Sequence, residues 1–254
     1  MRVFVLATLL IGLAGAIQAG SRQEAAPVDA AFRAFFSAPS QADALRRIDA
    51  ILKTRPSFEE MLLRLREGRT YTADVPRGLQ FGRTRTADNV EHQYVFDIPE
   101  SYEPSRAYPV RFHLHGAVGR PRPMAPTRVR TNALRSTIEE IAVFPIGWAQ
   151  SPWWSATQVD NFARILDRLK RTYNVDENRV YLTGSSDGGT GVYFMAFMNT
   201  TPWASFVPLI GDMMVLAAPD IDGQPDIFPG NGINKPFLVA NGDAIRYIRR
   251  TWWA

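Results

Sequence analysis

Hydrophobic and polar positions along this chain fall into three patterns. Val3 to Ile17 is one apolar stretch with no charged side chain. Residues 30–67 carry apolar positions at helical spacing. Leu45, Ile48 and Leu52 share a face after Ser40, which caps with Asp43 three residues on. Pro56 breaks that pattern. Ser57 and Glu60 then make a capping box for a helix carrying Met61, Leu62 and Leu65. From Gly78 onward the period shortens. Strands are predicted over 79–84, 92–98, 108–114 and 141–146, with Tyr94, Phe96 and Ile98 alternating onto one face. Gln158 to Tyr173 is an amphipathic helix presenting Val159, Phe162, Leu166 and Leu169, and Asp160 can pair with Arg164. Residues 174–178 read as its exit loop. Val180 to Thr183 is a strand, 190–199 a helix, 205–210 a strand and 235–240 another. Strands alternating with helices predict an α/β domain whose mostly parallel sheet is covered by helices on both faces.

Three segments follow: a secretion signal at 1–19, a linker and small helical region at 20–77, and the α/β domain at 78–254. The signal reading rests on Arg2, the apolar run and small residues at Ala14-Gly-Ala16 or Ile17-Gln-Ala19, with cleavage expected after Ala19. The run is short for a membrane span, and no other segment is apolar enough for one. The chain has 254 residues, 46% of them apolar, which suffices for a core without disulfides; cysteine is absent. The formal charge is +4, and loss of residues 1–19 removes only Arg2, leaving +3. That balance argues against nucleic acid as a partner.

The chemistry gathers at Gly184-Ser-Ser-Asp-Gly188, between a strand and a helix. Gly-x-Ser-x-Gly in that context makes a sharp turn that lifts the central hydroxyl above the sheet. Ser186 is therefore the candidate nucleophile, and Ser185 occupies the variable position. The strand 108–114 runs into His115-Gly116-Ala117. His113 and His115 alternate onto one side of it, without carboxylates at metal spacing, so no metal site is expected and no cofactor is implied. His92 reads as an ordinary strand residue. Trp148, Trp153 and Trp154 follow a strand and suit either core packing or stacking on a sugar or aromatic acyl group. Arg120, Arg122, Arg128, Arg130 and Arg135 make a basic loop, read either as solvated surface or as attraction for a carboxylate-bearing substrate.

Leu114-His-Gly116, Phe144-Pro-Ile-Gly-Trp148, Trp153-Trp154, Tyr173-Asn-Val-Asp-Glu-Asn-Arg179 and Gly184-Ser-Ser-Asp-Gly-Gly189 together resemble the α/β-hydrolase superfamily over nearly all of the chain after residue 90. Within it they are similar to secreted esterases of the polyhydroxybutyrate-depolymerase and feruloyl-esterase type and to prolyl-oligopeptidase-like relatives. The resemblance implies ester hydrolysis by serine, histidine and a carboxylate, through an acyl-enzyme. It places the oxyanion between backbone amides near Gly116 and Ala117 and the amide of Asp187. The substrate it implies is a small-molecule or carbohydrate-linked ester. The acid is expected beyond the strand 235–240, where Asp243 is the nearby candidate; Asp212, Asp220, Asp222 and Asp226 come earlier. No histidine follows Ser186. The fold is therefore expected to be incomplete at its C-terminal end, and the chain as it stands to be weak or inactive. Back-translated with one choice of codons and read one base out of frame, the segment after Gly242 becomes Arg-Arg-Asp-Pro-Leu-Tyr-Pro, which resembles the acid loop of these hydrolases. A frame shift is thus the expected origin of the C-terminal sequence. Two other readings remain at this level, an exported non-catalytic binding or scaffold protein on a hydrolase fold and a serine peptidase of the prolyl-oligopeptidase type.

Overall fold

The structure is a computed structural model that describes residues 27–123, 139–213, 216 and 228–242. Residues 1–19, the middle of the basic loop with Arg128, Arg130 and Arg135, the acids Asp220, Asp222 and Asp226, and Asp243 lie outside the described residues. The chain divides into two compact units, one ending at Thr70 and the other beginning at Tyr71.

Among the described residues the first unit holds three helices. α1 includes residues 27–36, so helix occupies part of the stretch expected to be linker. α2 (Gln41–Lys53) starts at Ser40, whose side chain accepts from the Asp43 amide, and α3 (Phe58–Glu67) starts at the Ser57–Glu60 capping box. Val28, Ala31, Phe32 and Ile51 form a small core with Phe35, Phe36 and Met61 against it. Arg64 Nε donates to Asp29 at 2.7 Å, tying α3 to α1. The apolar stripe of α2 lies outside that core: Leu45, Ile48 and Leu52 are exposed, and Ile51 is its buried residue. Helical spacing alone does not say which of two apolar faces the core takes.

The second unit is built on six strands: β1 (Gly78–Arg85), β2 (Glu91–Ile98), β3 (Tyr108–Leu114), β4 (Ile141–Pro145), β5 (Val175–Ser185) and β6 (Ser205–Leu209). Their order across the sheet is β1-β2-β4-β3-β5-β6. β1 and β2 form an antiparallel hairpin and β2 pairs antiparallel with β4, while β4, β3, β5 and β6 run parallel. β5 is longer than expected. Val175 pairs with Tyr108 across a register shift, and polar residues 176–179 continue the strand as its solvated start. Val180 pairs next with Val110, so residues 176–179 stand opposite Pro109 alone and form a solvated bulge within the strand, where the exit loop was expected. Beyond β6, Phe237 and Ala240 make isolated parallel bridges to Phe206 and Leu209.

α4 (Ala156–Thr172) and α5 (Asp187–Met198) both pack on the sheet face that presents Phe112 and Leu114. Phe162 of α4 lies 5.7 Å from Phe112, ring centre to ring centre. A Cβ added to Gly191 of α5 would stand 3.2 Å from Leu114 Cδ1. The same face buries Ile165, Leu169, Val192, Phe194 and Trp203 in one continuous core. Among the described residues no helix is long and apolar enough to cross a membrane.

Candidate active site

Strand β5 delivers Ser186 to the end of the sheet. Ser186 stands at φ 56° and ψ −122° between β5 and α5, a conformation L-residues rarely adopt, and its side chain is exposed. Two backbone bonds hold the turn. The Ser186 amide donates to Leu209 O at 3.0 Å, and Thr190 N donates to Ser186 O at 3.0 Å. The glycines beside it are required by backbone proximity. A Cβ on Gly184 would lie 2.3 Å from Gly188 O, and one on Gly188 would lie 2.1 Å from Leu114 O. Helix α5 can therefore start directly against β3 and β5 only without side chains there.

The loop after β3 comes over this turn. A Cβ on Gly116 would sit 3.1 Å from Ser186 Cβ and 3.5 Å from Ser186 Oγ. Ala117 follows at φ 58°, in the left-handed region. Asp187 is the first residue of α5, and its carboxylate accepts from Val118 N at 2.8 Å. An acid in a first helical turn is favoured by the helix dipole. Here it also clamps the neighbouring loop. The amide of Asp187 belongs to the first turn of α5, where no intrahelical acceptor exists. Sequence reasoning weighed only this amide and missed the carboxylate. Its position at the start of the helix was the available signal.

His115 is committed on both ring nitrogens. Gly147 N donates to Nε2 at 3.1 Å, so Nδ1 carries the proton and donates to Gly116 O at 2.7 Å. Trp153 Nε1 donates to His115 O at 2.7 Å, and the two rings meet edge-on. Trp153 is fully buried and Trp148 nearly so, which makes both core residues. Gln158, also buried, donates to Ile146 O and Ser151 O, fixing the turn that carries Trp148. The sequence marked Gln158 only as a helix start.

His113 stacks on Phe144 at 4.9 Å, and burial, with Arg111 nearby, lowers its pKa to about 4. His92 is not an ordinary strand residue. It is fully buried, its Nε2 lies 3.1 Å from Thr157 Oγ1, and its ring lies 5.0 Å from Trp148. Burial pulls its pKa down to about 4, with Asp88 opposing. None of the three histidines hydrogen-bonds Ser186 among the described residues. Asp212 is held through its backbone by Thr190. No group of three or more histidine, cysteine, aspartate or glutamate residues is arranged to hold a metal among the described residues.

The sheet order, one antiparallel hairpin followed by parallel strands, with a left-handed serine between β5 and α5, decides the architecture. The chain has an α/β-hydrolase fold. No family model matches it. A stretch of 101 residues, 39% of the chain, is 30% identical to a bifunctional acetylxylan esterase/xylanase of Neocallimastix patriciarum and covers 15% of that protein. A solved structure described as a thermostable esterase is similar at TM-score 0.48 and 20% identity, over 63% of this chain and 45% of that one. The hydrolase-fold chain spans less than half the length of either protein.

Proposed function

We propose that this chain is an exported serine hydrolase that cleaves carboxylic esters through an acyl-enzyme on Ser186. The observation that carries the reading is the left-handed, exposed Ser186 between β5 and α5 with the Gly116 backbone against it. Such a turn is the nucleophile elbow of this fold. Ser186 Oγ attacks the ester carbonyl and loses its proton to a base. The oxyanion forms between the amides of Ala117 and Asp187, which the loop and the helix start orient beforehand. The alkoxide leaves with a proton, and water releases the acid in a second step. The relative's acetylxylan esterase activity, and its similarity over 101 residues, favour a carbohydrate-linked or small-molecule ester as substrate.

The acid of the triad is assigned to Asp243 by its place after the last strand, and no histidine follows Ser186 to act as base. His115 spends both ring nitrogens on the loop. An unassisted serine hydroxyl is a poor nucleophile, so turnover by this chain is slow. A second reading is an exported binding protein that keeps the hydrolase fold without turnover.

A fluorophosphonate probe tests the first reading. The parent chain should label slowly, labelling should accelerate as imidazole is added to supply the missing base, and Ser186→Ala should not label. Equal labelling of parent and Ser186→Ala would overturn the assignment. A folded parent that stays unlabelled with and without imidazole would leave the binding reading.

A further inference from the structure

Three arginines converge on one glutamate at the rim of the sheet. Arg85 stands opposite Glu91 in the β1–β2 register, and Arg83 lies two residues back on the same face. An Arg85 guanidinium nitrogen is 3.3 Å from one Glu91 oxygen, and nitrogens of Arg83 and Arg122 lie 3.5 and 3.6 Å from the other. Three guanidinium groups share one carboxylate, which leaves two positive charges in excess. The arginine side chains remain 69%, 58% and 40% exposed for Arg83, Arg85 and Arg122, although Arg85 Nη1 also donates to Asn89 O and Oδ1 at 3.4 and 3.1 Å, an exposed contact that a ligand must compete with. Arg122 is also placed over the Trp148 ring at 5.2 Å, and Trp148 is itself buried. This contact limits the rotamers of an otherwise free side chain. The other acids close by are engaged elsewhere. Asp88 accepts from Thr86 and Thr157, and Asp160 accepts from Arg164 and from the Ala87 amide.

The position of the cluster gives it meaning. β2 runs antiparallel to β4, with Tyr94 opposite Pro145, so Glu91 lies beyond the C-terminal end of β4. β3, β4 and β5 are parallel, and Ser186 follows the C-terminal end of β5. The cluster and Ser186 therefore share one end of the sheet. Across the order β1-β2-β4-β3-β5, Glu91 is three strand spacings from the Ser186 strand and Arg83 and Arg85 are four, roughly 14 and 19 Å.

We infer that Arg83, Arg85 and Arg122 form a carboxylate-binding subsite for an acidic carbohydrate whose ester reaches Ser186. The place of the ester rests on the hydrolase reading above; the subsite does not. Planar guanidinium groups match a planar carboxylate in paired hydrogen bonds, and a sugar acid within an oligosaccharide supplies both that group and the length to span the gap.

Calorimetric titration of Ser186→Ala tests this without turnover. The ligands are tetragalacturonate, neutral xylotetraose and a sulfated tetrasaccharide. Tetragalacturonate should bind about tenfold or more tighter than xylotetraose, and Arg85→Gln or Arg122→Gln should each weaken it about three- to tenfold. Equal binding of the acidic and neutral oligosaccharides, or unchanged binding by both arginine variants, would overturn the subsite. So would a sulfated ligand that binds as tightly through the same arginines, since the patch would then attract any anion. Tight, arginine-dependent tetragalacturonate binding beside a parent that never labels would sink the hydrolase reading and keep the subsite.

Discussion

Around Ser186, three segments bring their backbones into contact; beyond β6, the sheet barely closes. A Cβ on Gly188 would lie 2.1 Å from Leu114 O, and one on Gly189 would lie 2.7 Å from Leu209 O. Residues 236–240 instead meet β6 through two isolated bridges and leave Leu238 and Val239 68% and 48% exposed. Near them Gly230 has open space where its side chain would be. Both regions lie on the same sheet. The first is packed backbone against backbone, and the second is held by four backbone hydrogen bonds with its side chains left exposed. Constraint in this protein is concentrated where strand ends, loop and helix start converge.

The sharpest way to break that comparison is to add one methyl group in each place. Gly188→Ala puts Cβ against backbone that cannot swing aside, and it should cost about 3–5 kcal/mol or prevent folding. Gly230→Ala should stay within about 0.5 kcal/mol. Urea denaturation of both variants measures the gap. Similar costs would show that the packing around Ser186 is as yielding as the edge.

Acid separates the regions by about 2 kcal/mol. His92 has a folded pKa near 4, held down by burial, against an ordinary value of 6.5. Between those values the unfolded chain binds the proton and the folded one does not. The stability of the neutral, buried form is therefore present above about pH 6.5 and is lost as pH falls toward 4. At pH 5 the loss relative to pH 7 is about 2 kcal/mol. His92→Gln should remove about half of the slope in denaturation curves taken from pH 7 to 5, because His113, also held near 4 by burial, supplies a similar share. Amide exchange should quicken in β2 and β3 over the same range by more than it does at 236–240. An unchanged slope in the variant would remove His92 as the cause.

A smaller effect tests the loop over Ser186. Trp153→Phe keeps an aromatic ring but removes the N–H that His115 O accepts. The loss should be about 1–2 kcal/mol, with slower probe labelling of Ser186 in imidazole. Lower stability with unchanged labelling would mean that Trp153 supports the core but not the loop.

Much of this was legible in the chain because close packing leaves marks at short range. Alternation marked β2, the 3.6-residue period marked α4, and Ser40 and Ser57 marked the helix starts. Glycines flanking a serine signalled a turn whose backbone has no room for side chains. What stayed hidden depends on distant partners. Val175 joins β5 ahead of the unpaired residues 176–179 because Tyr108 of β3 pairs with it. The partners that hold His115, Gly147 and Trp153, come from the loop after β4 and could not be read from the neighbouring sequence. His92 looked ordinary because Thr157 and Trp148 lie more than fifty residues away in sequence.

The loop 115–118 is tied to Gly147 and Trp153 in the loop after β4 and to Asp187 of α5, contacts that span 32 to 69 residues of sequence. A segment fastened in this way cannot adapt to each ligand that arrives. Discrimination among ligands then falls to side chains that hold nothing up, such as those on the β1–β2 hairpin. In evolutionary terms the two tasks are uncoupled. Descendants of this chain can exchange the rim and change what they recognise while inheriting the turn at Ser186 intact.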